Sequence, residues 1–427
     1  KTIYIILYFF ILFLGGIFMS GVNGADTVFV IMSTVLVMIM TPGLALFYGG
    51  MVRGKNTLNS TLHSYSALAV ISVQWIFIGY TLCFGTDIGG LIGGLNFAGL
   101  KGVGIAPNAD YSSTIPQQAF MMFQLMFAII TSAVISGSIA ERMKFIHWVL
   151  FLFLWTTVVY DPIAHWVWGA GGWLKNLGAL DFAGGNVVEI SSGVSGLVAA
   201  LMLGKRKNVG KPSSLPLTCL GAGLLWFGWY GFNAGSALAV NGVALNAFIT
   251  TNTSAATSVV SWTICEYIYR RKVTSLGVVS GIVAGLVAIT PAAGFVSPMA
   301  SVVIGLVAGT VCYIAITFVK AKLGYDDALD VFGCHGIGGI WGGIATGIFA
   351  WKSINPAGAN GLIHGNPRLI GIQLIAILSS IAYSAVGTFV VIKIINALSG
   401  MRASDRNEQT GLDVTEHGEE AYGGLGL

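Results

Sequence analysis

Apolar runs of membrane-crossing length recur along the whole chain, and the stretches between them together with the tail after the last carry most of its charges. A helix needs about 20 residues to cross the hydrocarbon of a bilayer. Runs of that length cover 26–48, 61–85, 114–140, 145–170, 187–204, 214–236, 243–269, 274–291, 298–320, 331–351 and 369–400. The pattern therefore predicts eleven spanning helices. Ahead of them, Lys1, an apolar core over 3–18 and small residues over 20–25 have the form of a signal peptide ending near Ala25. The competing reading is a retained twelfth helix. The expected organisation is a signal segment over 1–25, a transmembrane domain over 26–400 and a tail over 401–427.

Composition strengthens this picture. Of 427 residues, 55% are hydrophobic and only 9% charged, where a soluble domain carries roughly 25% charge. The mean hydropathy is +0.81. A soluble enzyme, a nucleic-acid binder and a disordered chain are excluded. The 59 glycines are about twice the usual share, as suits closely packed transmembrane helices. Gly277, Gly281 and Gly285, and again Gly339, Gly343 and Gly347, stand four apart, a spacing that lets helix backbones approach. Five cysteines lie in apolar stretches without paired spacing, which points to neither a disulfide framework nor a metal site.

The net charge of +4 matters less than its distribution. If the loop after the first span is cytoplasmic, fifteen basic residues fall on the inner side. Only Lys101, Lys175, Lys352 and Arg368 fall on the outer side. Basic residues favour the cytoplasmic side, so the mature N-terminus is expected outside and the tail inside. An odd number of spans also allows five plus five with one extra, an inverted repeat that places a path between the halves. Leu180-Asp181 before the fifth span and Leu329-Asp330 before the tenth are its faint echo.

Ionisable groups at membrane depth are costly and mark pathways or partners. The candidates are Asp161, His165, Asp181, Glu189, Glu266, Asp330 and His335. Glu189 enters the fifth span and His335 the tenth, each flanked by glycines, the pattern of a shared pore. Asp181 can instead cap a helix, and Glu266 can pair with Arg270 one turn away. Phe123 and Phe127, Trp168, and Trp229 and Phe232 form an aromatic group with Ser236 four residues beyond Phe232. Ring faces attract positive charge, so rings with one hydroxyl suit a small cation. The glycine-rich stretch 336–343 lacks the strand and downstream acid of a dinucleotide loop. An intramembrane enzyme is a weak second class.

Five segments together are specific. They are Thr-Pro-Gly-Leu-Ala-Leu-Phe-Tyr-Gly-Gly-Met-Val-Arg-Gly-Lys (41–55), Asp-Phe-Ala-Gly-Gly (181–185), Gly-Trp-Tyr-Gly-Phe-Asn-Ala-Gly-Ser (228–236), Asp-Val-Phe-Gly-Cys-His-Gly (330–336) and Gly-Leu-Asp-Val-Thr-Glu-His-Gly-Glu (411–419). In this order they resemble the ammonium transporter family (Amt/Mep/Rh), its bacterial branch most closely. The resemblance runs from about residue 26 to the end. It implies an all-α integral membrane protein with eleven transmembrane helices, an inverted five-plus-five repeat plus one helix, and a homotrimer with one pore per subunit in the plasma membrane. Trp168, Phe127 and Ser236 then correspond to an external ammonium-recruitment site, supported by Asp181. Phe127 and Phe232 correspond to the stacked pair closing the pore, with Phe123 and Trp229 around it. His335 corresponds to the second of two pore histidines. Glu189 stands eight residues after Asp181, where most members have the first, so two neutral imidazoles sharing a hydrogen bond are not available here. Gly411, Leu412, Asp413 and Val414 in the tail correspond to the cytoplasmic segment that acts with a PII-type regulatory protein. The expected function is ammonium transport, with ammonia and a separately relayed proton delivered inward and with no cofactor, metal or catalytic residue. A sensor signalling through a cytoplasmic partner is the alternative. A neutral-gas channel would not need the acidic recruitment site.

Overall fold

The structure is a computed structural model and describes residues 21–422. The expected signal segment lies largely outside these residues, and Ala25 falls in the first turn of the first helix.

Long helices dominate the fold. They are α1 (Gly24–Met51), α2 (Gly54–Phe84), α3 (Gln117–Ile139), α4 (Phe145–Trp155, continued by Thr156–Tyr160 and Asp161–Trp168), α5 (Gly185–Leu203) and α6 (Leu215–Gly235). There follow α7 (Gly242–Arg270), α8 (Ser275–Ile289), α9 (Pro298–Leu323), α10 (Phe332–Gly336 and Ile337–Phe349) and α11 (Arg368–Leu398). Each expected apolar run coincides with one of these helices. Eight helical segments are long and apolar enough to cross a membrane, and α8 is a shorter apolar helix. Several starts are set by short polar side chains that accept a backbone N–H three residues on. Asn241 accepts from Ala244 at 3.0 Å, Thr274 from Gly277 at 2.9 Å and Ser297 from Ala300 at 3.2 Å.

The apolar surface is turned outward. On α1, Val28, Ile31, Met32, Val35 and Met38 form an exposed stripe at helical spacing, as expected where the surroundings are hydrocarbon. The centre belongs to α3, buried from Phe123 to Ile139 without a break, and to α5, buried from Gly185 to Gly196.

Small residues allow the helices to approach. A Cβ at Gly221 on α6 would lie 2.8 Å from Phe47 Cα on α1, and one at Gly231 would lie 2.5 Å from Leu36 Cβ. The two glycine series also serve packing. Gly285 faces Ser254 and Ala255 on α7, Gly339 faces Glu189, and Gly347 faces Ile370 on α11.

The two halves echo each other in backbone. Widened π turns interrupt α4 at Thr156–Tyr160 and α9 at Ala315–Val319. Others open α5 at Gly185–Ile190 and α10 at Phe332–Gly336. Such turns are rare and often stand at functional sites. The match of Asp181 with Asp330 does not extend to their roles. Asp181 caps α5, whereas the start of α10 is capped by Asp327, whose Oδ2 accepts from Phe332 N at 2.7 Å. Asp330 instead pairs with Lys320 at 2.5 Å. Glu266 departs from expectation too. It is buried and accepts from Thr274 N (3.0 Å) and Thr274 Oγ1 (2.9 Å), tying α7 to the start of α8 rather than pairing with Arg270.

Candidate functional site

The aromatic group assembles at one end of the helix bundle. Phe127 on α3 stacks on Phe232 of α6 with centroids 4.2 Å apart and planes 28° apart. Trp168, ending α4, meets Phe127 edge-on at 5.7 Å and 89°. Phe123 stands 4.9 Å from Phe127, and Trp229 5.3 Å from Phe232. Trp229 is fixed by donating to Thr290 Oγ1 at 2.9 Å. The i, i+4 spacing of Phe123 and Phe127 on α3, and the near-turn spacing of Trp229 and Phe232 on α6, bring these rings onto facing surfaces.

Above the stacked pair lies a vestibule of about 200 Å³ whose lining includes Trp168, Asp181, Phe182, Ser236, Gln124 and Lys175. Ser236 is partly exposed, and its hydroxyl donates back to Phe232 O at 2.9 Å. Ser236 lines a cavity edged by rings, and a hydroxyl oxygen among ring faces suits a small cation that donates hydrogen bonds. Sequence reasoning missed Gln124, whose Oε1 is buried without a hydrogen-bond partner among the described residues. It stands three residues before Phe127, on the same side of α3, and that polar interruption was the available signal.

Asp181 serves this site from behind. Its Oδ1 accepts from Gly184 N (2.8 Å) and Gly185 N (2.6 Å), and its Oδ2 from Asn186 N (2.7 Å). These are orphan donors of a helix start, and Gly184 turns into the left-handed region at φ 115° to aim them. The Asp181 carbonyl in turn accepts from Trp168 Nε1 at 3.0 Å. One residue therefore sets both the start of α5 and the orientation of the Trp168 ring.

Below Phe232 lies a second, smaller cavity of about 20 Å³, room for a single small molecule. Its walls are mainly apolar and include Leu44, Ile130, Val134 and Val188. Its polar lining is Glu189 and His335. Both are almost fully buried, and Glu189 Oε2 stands 2.7 Å from His335 Nδ1. Either an imidazole N–H donates to a carboxylate or a carboxyl O–H donates to a neutral ring, so one proton serves both. Among the described residues Glu189 Oε1 has no partner. Each group sits on a π turn, and α5 and α10 meet beside them at glycine. A Cβ on Gly193 would lie 2.5 Å from Gly336 Cα.

Asp161 and His165 lie apart from both cavities. Asp161 accepts from Gln74 at 2.7 Å and Cys83 at 3.5 Å, and His165 contacts Asp87 at 2.9 Å and Cys83 O at 2.8 Å.

At the opposite end, the tail is folded onto the bundle. Asp413 Oδ1 accepts from Asn59 N (2.8 Å) and Oδ2 from Leu58 N (3.1 Å). Leu412 N donates to Asn56 Oδ1 at 2.8 Å, and the His417 ring meets Phe145 edge-on at 4.9 Å. Burial pushes the Asp413 carboxyl up, partly offset by those N–H donors. Gly411, at φ 114°, packs against Lys55 so closely that a Cβ would lie 2.6 Å from its carbonyl oxygen. Gly411, Leu412 and Asp413 are buried, while Val414 is exposed.

Beneath the tail, Glu141 accepts from Arg53 Nε (2.8 Å), Asn56 Nδ2 (2.9 Å) and Arg206 Nη1 (3.1 Å). Asp326 accepts from Arg206 and Arg142. Burial alone would raise both carboxyls, but the guanidinium groups prevail. Glu141 is held below its ordinary value and Asp326 is lowered to about 2.

The sequence model of the Ammonium Transporter Family matches residues 28–422. The chain belongs to the ammonium transporter family. It is 56% identical over 399 residues to the ammonium transporter of Bacillus subtilis strain 168, covering 93% of this chain and 98% of that protein. The crystal structure of Saccharomyces cerevisiae Mep2 is similar with a TM-score of 0.84 at 38% identity, over 90% of this chain and 88% of that one. A structure described as a sensor Amt protein is similar with a TM-score of 0.84 at 30% identity, over 92% and 98%. The chain is a multi-pass, mainly helical membrane protein of the ammonium transporter fold, and its function is ammonium transport.

Proposed function

We propose that the chain recruits ammonium in the vestibule lined by Trp168 and Ser236, against the edge of Phe127. The ion gives its proton up to solvent water as it leaves the vestibule. Ammonia passes between Phe127 and Phe232 into the lower cavity, while the released proton moves separately by way of the Glu189–His335 pair. The observation that carries this reading is the 2.7 Å Glu189–His335 pair, buried under the stacked rings with one carboxylate oxygen unpartnered. An unpaired cation in that apolar cavity would cost many kcal/mol. Ammonia avoids the cost because its cation can leave a proton behind, whereas potassium, of similar size, cannot. The pair offers one acceptor and one donor to the separately moving proton. Asp181 supports the vestibule through the backbone it holds rather than by facing the cation with a free carboxylate.

The vestibule end is then external, and the end bearing the tail and most basic loops faces the cytoplasm of a plasma membrane. The outward apolar stripes suit both lipid and a homotrimer with one pore per subunit. A PII-type partner at the cytoplasmic face would meet Val414 and the exposed loops, with Gly411, Leu412 and Asp413 holding the tail in place beneath it.

Current recorded from reconstituted protein tests the reading. An ammonium pulse should give a saturating current and a potassium pulse none. Equal currents from both ions would overturn the proton-splitting step. The likeness to a sensor Amt protein favours a second reading, in which the chain reports ammonium to a partner. Tight ammonium binding without flux would establish it.

A further inference from the structure

The vestibule holds a second cation of the chain's own. Lys175, in the short helical turn Trp173–Leu177, lines the same cavity as Trp168, Asp181 and Ser236. Its Nζ donates to Trp168 O at 3.1 Å and lies 5.8 Å from the centre of the Tyr111 ring. Tyr111 is itself braced, stacking on Phe120 at 4.8 Å and donating to Phe84 O at 2.9 Å. Lys175 is exposed, and its ammonium group is held at the mouth of the cavity by a carbonyl and a ring face, the two kinds of group that also attract an incoming ammonium ion. Asp110 and Asp181 line the same space. The Asp181 carboxylate is engaged by three backbone donors, which leaves Asp110 as the compensating charge.

We propose that Lys175 is a specificity-determining residue of the entry site, a tethered ammonium group whose charge sets how strongly the vestibule holds ammonium from solution. The proposal rests on the vestibule being the recruitment site. A like charge lining the same open cavity weakens cation binding, and dissolved salt screens the effect over about 10 Å at 0.1 M. Lys175 thereby keeps the entry site from retaining the ion that must move on.

The test uses full-length protein in liposomes and the current evoked by ammonium chloride pulses of increasing concentration. Lys175→Gln keeps a donor for Trp168 O and removes the charge. Its half-saturating ammonium concentration should fall roughly three- to tenfold, with maximal current changed less than twofold. Lys175→Arg should match the parent. Raising ionic strength with sodium chloride should narrow the gap between Lys175→Gln and the parent. If the lysine only positions the Trp168 carbonyl, Lys175→Gln will match the parent while Lys175→Met shifts both constants, and the proposal falls. It also falls if the half-saturation gap is insensitive to salt. Failure of the recruitment reading would look different, since the parent itself would then give no saturating current.

Discussion

Replacing Asp181 by alanine removes three charge-assisted hydrogen bonds at 2.6–2.8 Å and leaves three backbone donors buried without acceptors. Hydrogen bonds to a charged group contribute about 1.5–3 kcal/mol each, and orphaned buried donors cost about 1–3 kcal/mol. Allowing for non-additivity, the local loss is about 3–6 kcal/mol, a large part of a typical total of 5–15 kcal/mol. It falls on the turn Gly185–Ile190, which carries Glu189, and on the carbonyl that holds Trp168. A shift of about 3 kcal/mol changes the population of the ordered turn by roughly 100-fold. Uptake into liposomes should therefore fall to near background in Asp181→Ala. Asp181→Asn can keep the acceptor shared by Gly184 and Gly185 but turns an N–H₂ toward Asn186 N, so an intermediate loss is expected. Thermal unfolding followed by tryptophan fluorescence should show a lowered midpoint in both. If Asp181→Ala folds with the parental midpoint and transports at the parental rate, Asp181 is a replaceable cap and the reasoning fails.

Three further outcomes follow from the same geometry. Gly193→Ala should push α5 from α10, because its Cβ would lie 2.5 Å from Gly336 Cα. A destabilisation of about 1–3 kcal/mol should appear as a lower unfolding midpoint together with lost current, and an unchanged midpoint would show that the crossing has slack. Truncation before Gly411 should leave the oligomer intact by light scattering yet weaken binding of a PII-type partner, and undiminished binding would defeat that role for the tail. Asp326, held at about 2 against an ordinary carboxyl near 4, is depressed in the folded state. Its contribution to stability is complete above about pH 4 and is lost as pH falls toward 2. Arg206→Ala should flatten that part of the unfolding midpoint against pH, and an unaltered slope would remove Asp326 from the account.

Much of this was legible because hydrocarbon simplifies the pattern. Long apolar runs located the helices, and the few ionisable residues inside them located Glu189 and His335. The i, i+4 aromatic spacing on α3 was equally visible. What escaped were roles set by backbone geometry and by loops meeting across the chain. Asp327 rather than Asp330 caps α10, because Asp330 pairs with Lys320, a partner ten residues back on the preceding helix. Glu266 bonds Thr274 because it is buried while Arg270 is exposed. The basic loop residues were read for orientation alone, although Arg53, Arg142 and Arg206 converge on Glu141 and Asp326. Lys175 and Gln124 enter the vestibule from separate elements, a convergence that linear spacing does not reveal.

In the proposed mechanism the Glu189–His335 pair carries the proton while ammonia passes beside it. Glu189→Gln retains size and hydrogen bonding but removes the titratable proton, and Glu189→His places a second imidazole beside His335. Ammonium-evoked current across a pH series, recorded from both variants at equal protein density, is the direct measurement. Glu189→Gln should lose most of the current while its unfolding midpoint and oligomer size stay parental. Glu189→His should keep part of the current with an altered pH dependence. Parental current from Glu189→Gln with an unchanged pH profile would make Glu189 a passive lining residue and contradict the relay.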